Sequence, residues 1–202
     1  MKLKIAGLII AVLFLAGCVA VEDDSTSGSM LQIVSLTGND IEGKPGSTTV
    51  FSDVLTNNSI FNDNGVADIA VLPLDPLLKI DAITPYMNVL VDQIDVVFKR
   101  TDGRNVEGVD VPYHFTQPMS MLVPINENIE IPFVLIRHVA KLEAPLMALR
   151  ETTTQAVVLH LVAQVTIHGK DMGGHRVAPV TGYISVWCSN FADVVPEPEP
   201  TT

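Results

Sequence analysis

The side chains in this sequence with the most obvious chemistry are its five histidines. His168 and His175 flank a glycine-rich turn that also contains Asp171 and Met172. A metal site would form there if strand register brings the two imidazoles together. The same pattern is explained if both histidines are ordinary surface residues of the turn and its strands, and this is our prediction. His168 and His175 are therefore only candidate ligands.

A second group contains one imidazole and two thioethers. Met119 and Met121 are two residues apart, which places them on the same face of a strand, and His114 precedes them. Thioethers and imidazoles suit copper, so these three residues are candidates for a copper site. Methionines also fill gaps in hydrophobic cores, and we predict core packing for Met119 and Met121.

The sequence contains none of the common catalytic motifs. We find no nucleophile elbow, His-Glu-x-x-His helix, phosphate-binding glycine loop or Ser-x-x-Lys. Asp92 and Asp95 would lie on opposite faces of a regular strand, so they form no acid–base pair unless a bulge intervenes. Residues 62–65 (Asn-Asp-Asn-Gly) lack the ligands of a calcium loop and predict a turn. We expect a protein that is not an enzyme and holds no cofactor.

The sequence has two cysteines, Cys18 and Cys188, which are too few for a disulfide framework. Folding must therefore depend on the burial of apolar side chains. Cys188 ends an apolar segment that also contains Trp187, and we predict that it is a small buried side chain. A reactive or intermolecular thiol is the alternative.

Short apolar segments separated by turn signals predict a β-rich body. Pro118 separates two short strands, Pro132 favours a sheet edge, and the acidic residues within 86–99 suggest a bulge. Residues 141–150 contain good helix formers around a proline and predict one or two helical turns that cross between sheets. The predicted strands are residues 31–36, 48–55, 66–72, 86–99, 111–115, 119–123 and 129–139.

A hairpin follows this crossing. Residues 156–168 alternate so that one face is fully apolar, which is typical of a half-buried strand. Residues 169–174 form a glycine-rich loop, and residues 175–187 return as the partner strand with an interruption at Pro179.

Eight or nine strands with little helix predict an all-β fold, a single sandwich of about eight strands over residues 30–192. The helical crossing before a long strand, followed by the final hairpin, resembles the E–F crossing and F–G hairpin of immunoglobulin-like domains. The resemblance implies an immunoglobulin-like β-sandwich. Trp187 and Cys188 are adjacent, so the Cys…Trp…Cys pattern of antibody domains is absent. An orthogonal barrel or a C2-like sandwich is the alternative.

The first eighteen residues have the pattern of an export signal. Lys2 and Lys4 precede an uncharged apolar segment, residues 5–16, that is too short for a good membrane-spanning helix. The motif Leu15-Ala16-Gly17-Cys18 then resembles the lipobox of bacterial lipoproteins. The resemblance implies that residues 1–17 are removed as a signal peptide and that Cys18 carries diacylglycerol, with a further acyl chain such as palmitate in many bacteria.

The segments on either side of the body are polar. Residues 18–29 predict a lipidated flexible tether, and residues 193–202 predict a disordered Pro/Glu tail. Val19 follows the cysteine where some lipoproteins have Asp, which by the same resemblance favours the outer membrane of a Gram-negative bacterium.

The chain is acidic, with 23 acidic and 12 basic residues. Such a charge repels nucleic acid and anionic lipid surfaces, so the expected partners are the membrane, through the lipid on Cys18, and another envelope protein or polymer. We expect a lipid-anchored, non-catalytic binding or structural module of the cell envelope. The alternative is a periplasmic lipoprotein that binds a metal or small ligand through the histidines and methionines named above.

Overall fold

The computed structural model describes residues 26–151 and 157–191. The predicted signal peptide, the lipobox with Cys18, most of the predicted tether and the predicted tail lie outside the described residues. The strands, in chain order, are β1 Ser29–Asn39, β2 Pro45–Ser47, β3 Thr49–Asp53, β4 Asp63–Pro73, β5 Val89–Lys99, β6 Phe115–Val123, β7 Asn128–Ile136, β8 Leu159–Asp171 and β9 Arg176–Ser189.

The strands form two sheets around one hydrophobic core. The first sheet has the order β2-β1-β4-β7, and all of its pairs are antiparallel. The second sheet has the order β3-β9-β8-β5-β6, in which the short edge strand β3 runs parallel to β9 and the other pairs are antiparallel. This architecture confirms the predicted all-β sandwich, with nine strands in the described residues.

The order β9-β8-β5-β6 follows the G-F-C-C′ order of immunoglobulin-like sandwiches, and β1-β4-β7 follows the A-B-E order. Between β7 and β8 the chain crosses from one sheet to the other through two 3₁₀ helices, His138–Leu142 and Leu146–Glu151. The predicted helical crossing is therefore confirmed in place, with 3₁₀ turns. Pro145 lies between the two helices, where its ring interrupts the helical segment. Two further 3₁₀ turns, Ile80–Ala82 and Pro85–Met87, precede β5.

Alternation along the strands supplies the core. In β8, Leu161, Ala163, Val165 and Ile167 are buried, and the residues between them are half-exposed on the outer face. This confirms the predicted apolar face of that strand. Complete burial of a Val, Leu or Ile side chain contributes about 1.5–3 kcal/mol, so many such residues together can stabilise the sandwich.

Strand β5 changes phase at a bulge, as predicted. Its pairing with both β6 and β8 shifts between Val91 and Gln93. Opposite β8 the extra residue is Asp92, whereas opposite β6 the extra residue lies on β6, between Pro118 and Met121. Beyond this point Ile94, and not Gln93, is buried. The bulge removes the regular alternation that would place Asp92 and Asp95 on opposite faces.

The turn predicted at residues 62–65 is wrong. Asp63 begins β4, where Asn64 and Gly65 pair with Val134 and Phe133 of β7. A Cβ atom at Gly65 would lie 2.7 Å from Cζ of Phe133, so the glycine permits close packing of an aromatic ring. The same dipeptide that signals a hairpin turn serves here as a packing position inside a strand.

Of the predictions based on prolines, the one at Pro118 is wrong and the one at Pro132 is confirmed. Pro118 does not separate two strands, because β6 runs continuously from Phe115 to Val123 with Pro118 opposite Gln93. β6 lies at the edge of its sheet, where a proline is tolerated because the strand has a hydrogen-bonded neighbour on one side only. Pro132 lies in β7, the edge of the first sheet, as predicted. Val111 forms only an isolated bridge with Glu107, so the predicted strand 111–115 is absent.

Two boundaries also differ from the sequence predictions. Ser27 and Ser29 are buried, and the Ser29 hydroxyl donates a 2.6 Å hydrogen bond to the carbonyl of Met87, so the folded body begins before residue 30. The final hairpin continues to Asp171 and resumes at Arg176, which makes its loop shorter than predicted. Within residues 26–151 and 157–191, no helix has the length and hydropathy needed to cross a membrane.

Candidate functional site

A cleft of about 380 Å³ opens where β3 ends and β4 begins. The cleft is lined by side-chain amides, carboxylates and two aromatic rings. One of these carboxylates, that of Asp63, also belongs to a buried polar cluster. The lining residues are Asn39, Asp40, Ile41, Glu42, Gly43, Val50, Phe51, Asp53, Thr56, Asn57, Asn62, Asp63, Asn64 and Phe191.

Lys141 is the centre of the buried cluster beneath this cleft. It lies in the 3₁₀ helix His138–Leu142 of the crossing and is only 1 % exposed. Its Nζ lies 2.9 Å from each carboxylate oxygen of Asp63 and donates a 2.8 Å hydrogen bond to the backbone carbonyl of Asp53. A buried ammonium requires such partners, because its removal from water is costly.

Two neighbouring groups complete the cluster. The Ser52 hydroxyl donates a 2.5 Å hydrogen bond to Oδ2 of Asp63. Burial raises the pKa of Asp63 above its ordinary value, although the charge of Lys141 and the hydrogen bonds from Ser52 and Lys141 act in the opposite direction. The carboxyl therefore has an increased tendency to be neutral.

Cys188 lies beside this cluster, opposite Ser52 in the β3–β9 pair. The thiol is fully buried, as predicted, and burial together with the charge of Asp63 raises the pKa of Cys188 to about 12. Since the thiolate is the nucleophilic form, this environment disfavours reaction of Cys188 in the folded protein.

Asp53 ties the surrounding loops together. Its carboxylate accepts hydrogen bonds from the Thr56 hydroxyl at 2.6 Å, the backbone N–H of Phe191 at 3.1 Å and the backbone N–H of Leu55 at 3.4 Å. These contacts hold the chain after β3 and the chain after β9 against one another, and so define the walls of the cleft.

A row of rings continues from the cleft onto the outer face of the second sheet. Phe51 contacts both Phe191 and Trp187 edge-to-face, with ring centroids 5.8 and 5.4 Å apart. Trp187 stacks on His160 at 4.5 Å. Val50 and Ser52 are buried, so strand alternation turns Phe51 outward, and its register partner Trp187 lies on the same face.

Charged side chains lie at the borders of the outer face beside this row: Lys170 and Arg176 at the loop end, and Lys99 and Asp95 of β5, which contact Gln164 and His168. Tyr183 is exposed, and the outward residues of β8 and β9 around it are aromatic, hydroxylic, amide-bearing, aliphatic or imidazole side chains. None of them is Asp, Glu, Lys or Arg. They are His160, Val162, Gln164, Thr166, His168, Thr181, Tyr183, Ser185 and Trp187.

The two candidate histidines of the hairpin lie in separate pairs. The register aligns Gly169 with Val177 and Lys170 with Arg176, so the condition for their approach is not met. His175 has its Nδ1 3.3 Å from a carboxylate oxygen of Asp171.

His168 instead contacts Asp95 of β5, with its Nε2 2.8 Å from Oδ2. Burial acts to raise the pKa of Asp95, but hydrogen bonds from Thr116, Gln93 and His168 outweigh it and lower that pKa below its ordinary value.

The other three candidate metal ligands, His114, Met119 and Met121, lie in ordinary surface and core contacts. The Nδ1 of His114 lies 2.8 and 2.9 Å from the two carboxylate oxygens of Glu107 on the surface. Met119 and Met121 are half-buried and pack against the hydrophobic core, as predicted for core methionines. In the described part of the chain, no three His, Cys, Asp or Glu side chains are close enough together to hold a metal ion.

Sequence reasoning missed the Lys141 cluster and the aromatic row. Ser52, Asp63 and Lys141 are far apart along the chain, and a lysine in a short helical crossing has no signal of burial. The row could have been found, because strand alternation already places Phe51 and Trp187 on the faces opposite their buried neighbours.

No protein-family model matches the chain, and a search of curated proteins finds no significant match.

Proposed function

We propose that this protein is a lipid-anchored, non-catalytic module of the cell envelope that binds another envelope protein. The anchor is a diacylglycerol on Cys18, implied by the Leu15-Ala16-Gly17-Cys18 motif. A single acyl chain binds membranes only weakly, so the anchor requires the two or three chains of a lipoprotein. The same resemblance favours the outer membrane of a Gram-negative bacterium.

The outer face of β8 and β9 carries the proposal of a protein partner. In the cores of protein–protein interfaces, charged residues are depleted and Tyr and Trp are enriched. Tyr183 and Trp187 are exposed on this face, and the residues opposite them on β8, Gln164 and His160, are neither acidic residues nor Lys or Arg. Exposed aromatic side chains next to uncharged neighbours favour a folded protein surface as the partner.

The anchor is tested by replacement of the cysteine. We expect Cys18→Ser to move the full-length protein from the membrane fraction to the soluble fraction, or to leave it with an uncut leader. Cys188→Ser is the matched control, because Cys188 is the other cysteine of the chain and is buried in the body. Normal membrane fractionation of the Cys18→Ser protein would contradict a lipid anchor at this position.

The binding face is tested by site-specific photocrosslinking in intact cells. A photoreactive phenylalanine analogue at Tyr183 should capture one envelope protein, and the added substitution Trp187→Ala should abolish this product. The matched control places the same analogue at Val34, an exposed position on β1 of the other sheet. Equal products from both positions, or a product that persists without Trp187, would contradict a specific site on this face.

A further inference from the structure

We propose that one end of the sandwich lies on the lipid bilayer and inserts exposed apolar side chains of its loops into the headgroup region. This end, the N-terminal end, consists of the start of the described chain and three loops, residues 26–28, 74–88, 124–127 and 170–176. The orientation rests on the proposed lipid anchor at Cys18 and adds to it how the body sits on the membrane.

The segment that leads to Cys18 leaves the body at this end. Ser29 of β1 pairs with Pro73, so the beginning of β1 lies beside the end of β4. The N–H of Leu74 donates a 2.8 Å hydrogen bond to the carbonyl of Gly28, and the Ser29 hydroxyl donates a 2.6 Å bond to the carbonyl of Met87. These bonds hold the β4–β5 loop against the start of the described chain.

The other two loops lie against the same structure. The N–H of Met172, in the β8–β9 turn, donates to the carbonyls of Tyr86 and Asn88, each at 3.1 Å. The N–H of Ile125, in the β6–β7 turn, donates a 3.0 Å bond to the side-chain oxygen of Asn88. The three loops and the start of the chain therefore form one continuous surface.

The most exposed apolar side chains of the described residues are on this surface. Leu77 is 87 % exposed and Tyr86 is 70 % exposed, and Leu74 and Met172 are each at least half exposed. Single exposed apolar residues are ordinary, but several on adjacent loops are typical of a surface that contacts a membrane or another protein. A tyrosine beside aliphatic residues suits the headgroup level, where its ring is partly buried and its hydroxyl stays hydrated.

The length of chain before the body favours the membrane. Cys18 and Thr26 are eight residues apart, and a segment of this length spans at most about 29 Å in any conformation. Strand β4 has 11 residues and extends about 33 Å from the N-terminal end to the opposite end. A body that stood on its opposite end would place Thr26 farther from the bilayer than the segment can reach.

Charge also distinguishes this end from the rest of the chain. Its four segments contain four acidic and three basic residues, whereas the whole chain contains 23 acidic and 12 basic residues. An acidic surface is repelled by anionic headgroups, and a surface with nearly balanced charges is not. The N-terminal end can therefore approach a bilayer from which most of the surface is repelled.

The test measures the depth of the β4–β5 loop in the full-length lipidated protein, reconstituted into phosphatidylcholine vesicles that contain a nitroxide-labelled lipid. A fluorophore on Leu77→Cys, in a Cys188→Ser background, should be quenched about threefold or more strongly than the same fluorophore on Phe61→Cys, because an inserted loop reaches the headgroup and acyl boundary. Phe61 is the matched control, since it is 59 % exposed and precedes β4 at the opposite end. Equal quenching at the two positions would overturn the orientation.

Flotation of the same vesicles separates this result from failure of the anchor. Protein that does not float with the vesicles would show that Cys18 carries no anchor and would overturn both proposals. Protein that floats while the fluorophore at Leu77→Cys is not quenched would retain the anchor and overturn only the contact with lipid. The exposed residues of this end would then be assigned to a protein partner.

Leu77→Asp tests whether the contact is apolar. A carboxylate at this exposed position leaves the fold intact, which circular dichroism checks, but its transfer out of water is costly. In this variant the quenching of a fluorophore on Tyr86→Cys should fall to the level of the Phe61→Cys protein. Phe61→Asp is the matched control and should leave the quenching at Tyr86→Cys unchanged. Unchanged quenching in Leu77→Asp would overturn insertion of the loop.

Discussion

A lysine–aspartate pair and a histidine–aspartate pair in this protein have nearly the same geometry in different surroundings. Lys141 and Asp63 are 2.9 Å apart, with side chains that are 1 % and 19 % exposed. His168 and Asp95 are 2.8 Å apart on the outer face, with side chains that are 30 % and 28 % exposed. The distances alone would not distinguish a surface contact from a buried one.

The carboxyl groups respond in opposite ways. Burial dominates at Asp63 and raises its pKa, whereas hydrogen bonds from Thr116, Gln93 and His168 outweigh burial at Asp95 and lower its pKa. A carboxyl that is still partly hydrated retains its charge, and a carboxyl that has lost its water depends on its protein partners. The buried pair is therefore the one whose disruption should matter most.

The largest expected effect is that of Lys141→Met. Removal of the ammonium leaves the Asp63 carboxyl buried without its main partner, which should lower the free energy of unfolding by about 3–5 kcal/mol. Urea denaturation monitored by circular dichroism measures this decrease.

The control for Lys141→Met is the double variant Lys141→Met/Asp63→Leu. Replacement of both members of a buried ion pair by apolar residues is often nearly neutral, so the double variant should recover part of the lost stability. If the single variant lost less than about 1 kcal/mol, the buried pair would behave like a surface pair, and the comparison would fail.

The next largest expected effect is slow labelling of Cys188, the buried thiol beside the Lys141–Asp63 pair. With the pKa of Cys188 raised to about 12, the native protein should react with a thiol reagent at pH 8 far more slowly than the protein in denaturant. Labelling followed by mass spectrometry measures both rates. Fast labelling of native Cys188 would show that water and reagents reach the interior near Asp63.

The pH dependence of the outer pair should be opposite in sign to that of a carboxyl destabilised by burial. Asp95 has a lowered pKa in the folded state, so its contribution to stability is present above its ordinary pKa of 3.8 and is lost as the pH falls below that value toward the folded-state pKa. The difference in unfolding free energy between wild type and Asp95→Asn should therefore shrink as the pH falls from 6 to 3, in urea titrations at each pH. A difference that grows instead would contradict the lowered pKa.

The smallest expected effect is that of His168→Ala. Even exposed pairs of opposite charge contribute only about 0–1 kcal/mol, so this substitution should change the free energy of unfolding by less than about 1 kcal/mol. Thr166→Ala is the control on the same face, since its hydroxyl bonds only to Thr181 in the described structure. A loss comparable to that of Lys141→Met would mean that the outer pair is as important as the buried one.

The features that sequence reasoning predicted depend on residues close together in the chain. The alternation in β8 identified the residues that face the core, and Pro132 identified an edge strand, because each effect acts within one strand. The turn predicted at Asn64-Gly65 was wrong because the contact that decides its structure comes from another strand. A glycine beside an asparagine suits a tight turn, but it also suits a strand on which an aromatic ring from a neighbouring strand must pack, and only the neighbour distinguishes the two.

The sequence by itself determined that the body consists mainly of strands, that residues 156–168 have one apolar face, and that a short helical crossing precedes the last hairpin. These features follow from side-chain periodicity and from proline and glycine, which act over a few residues. Only the tertiary structure decided that Ser52, Asp63 and Lys141 meet, and that His168 contacts Asp95 rather than His175. Such contacts depend on strand register and on the path of the crossing between the sheets, and a shift of one residue in register would turn every side chain of a strand to the opposite face.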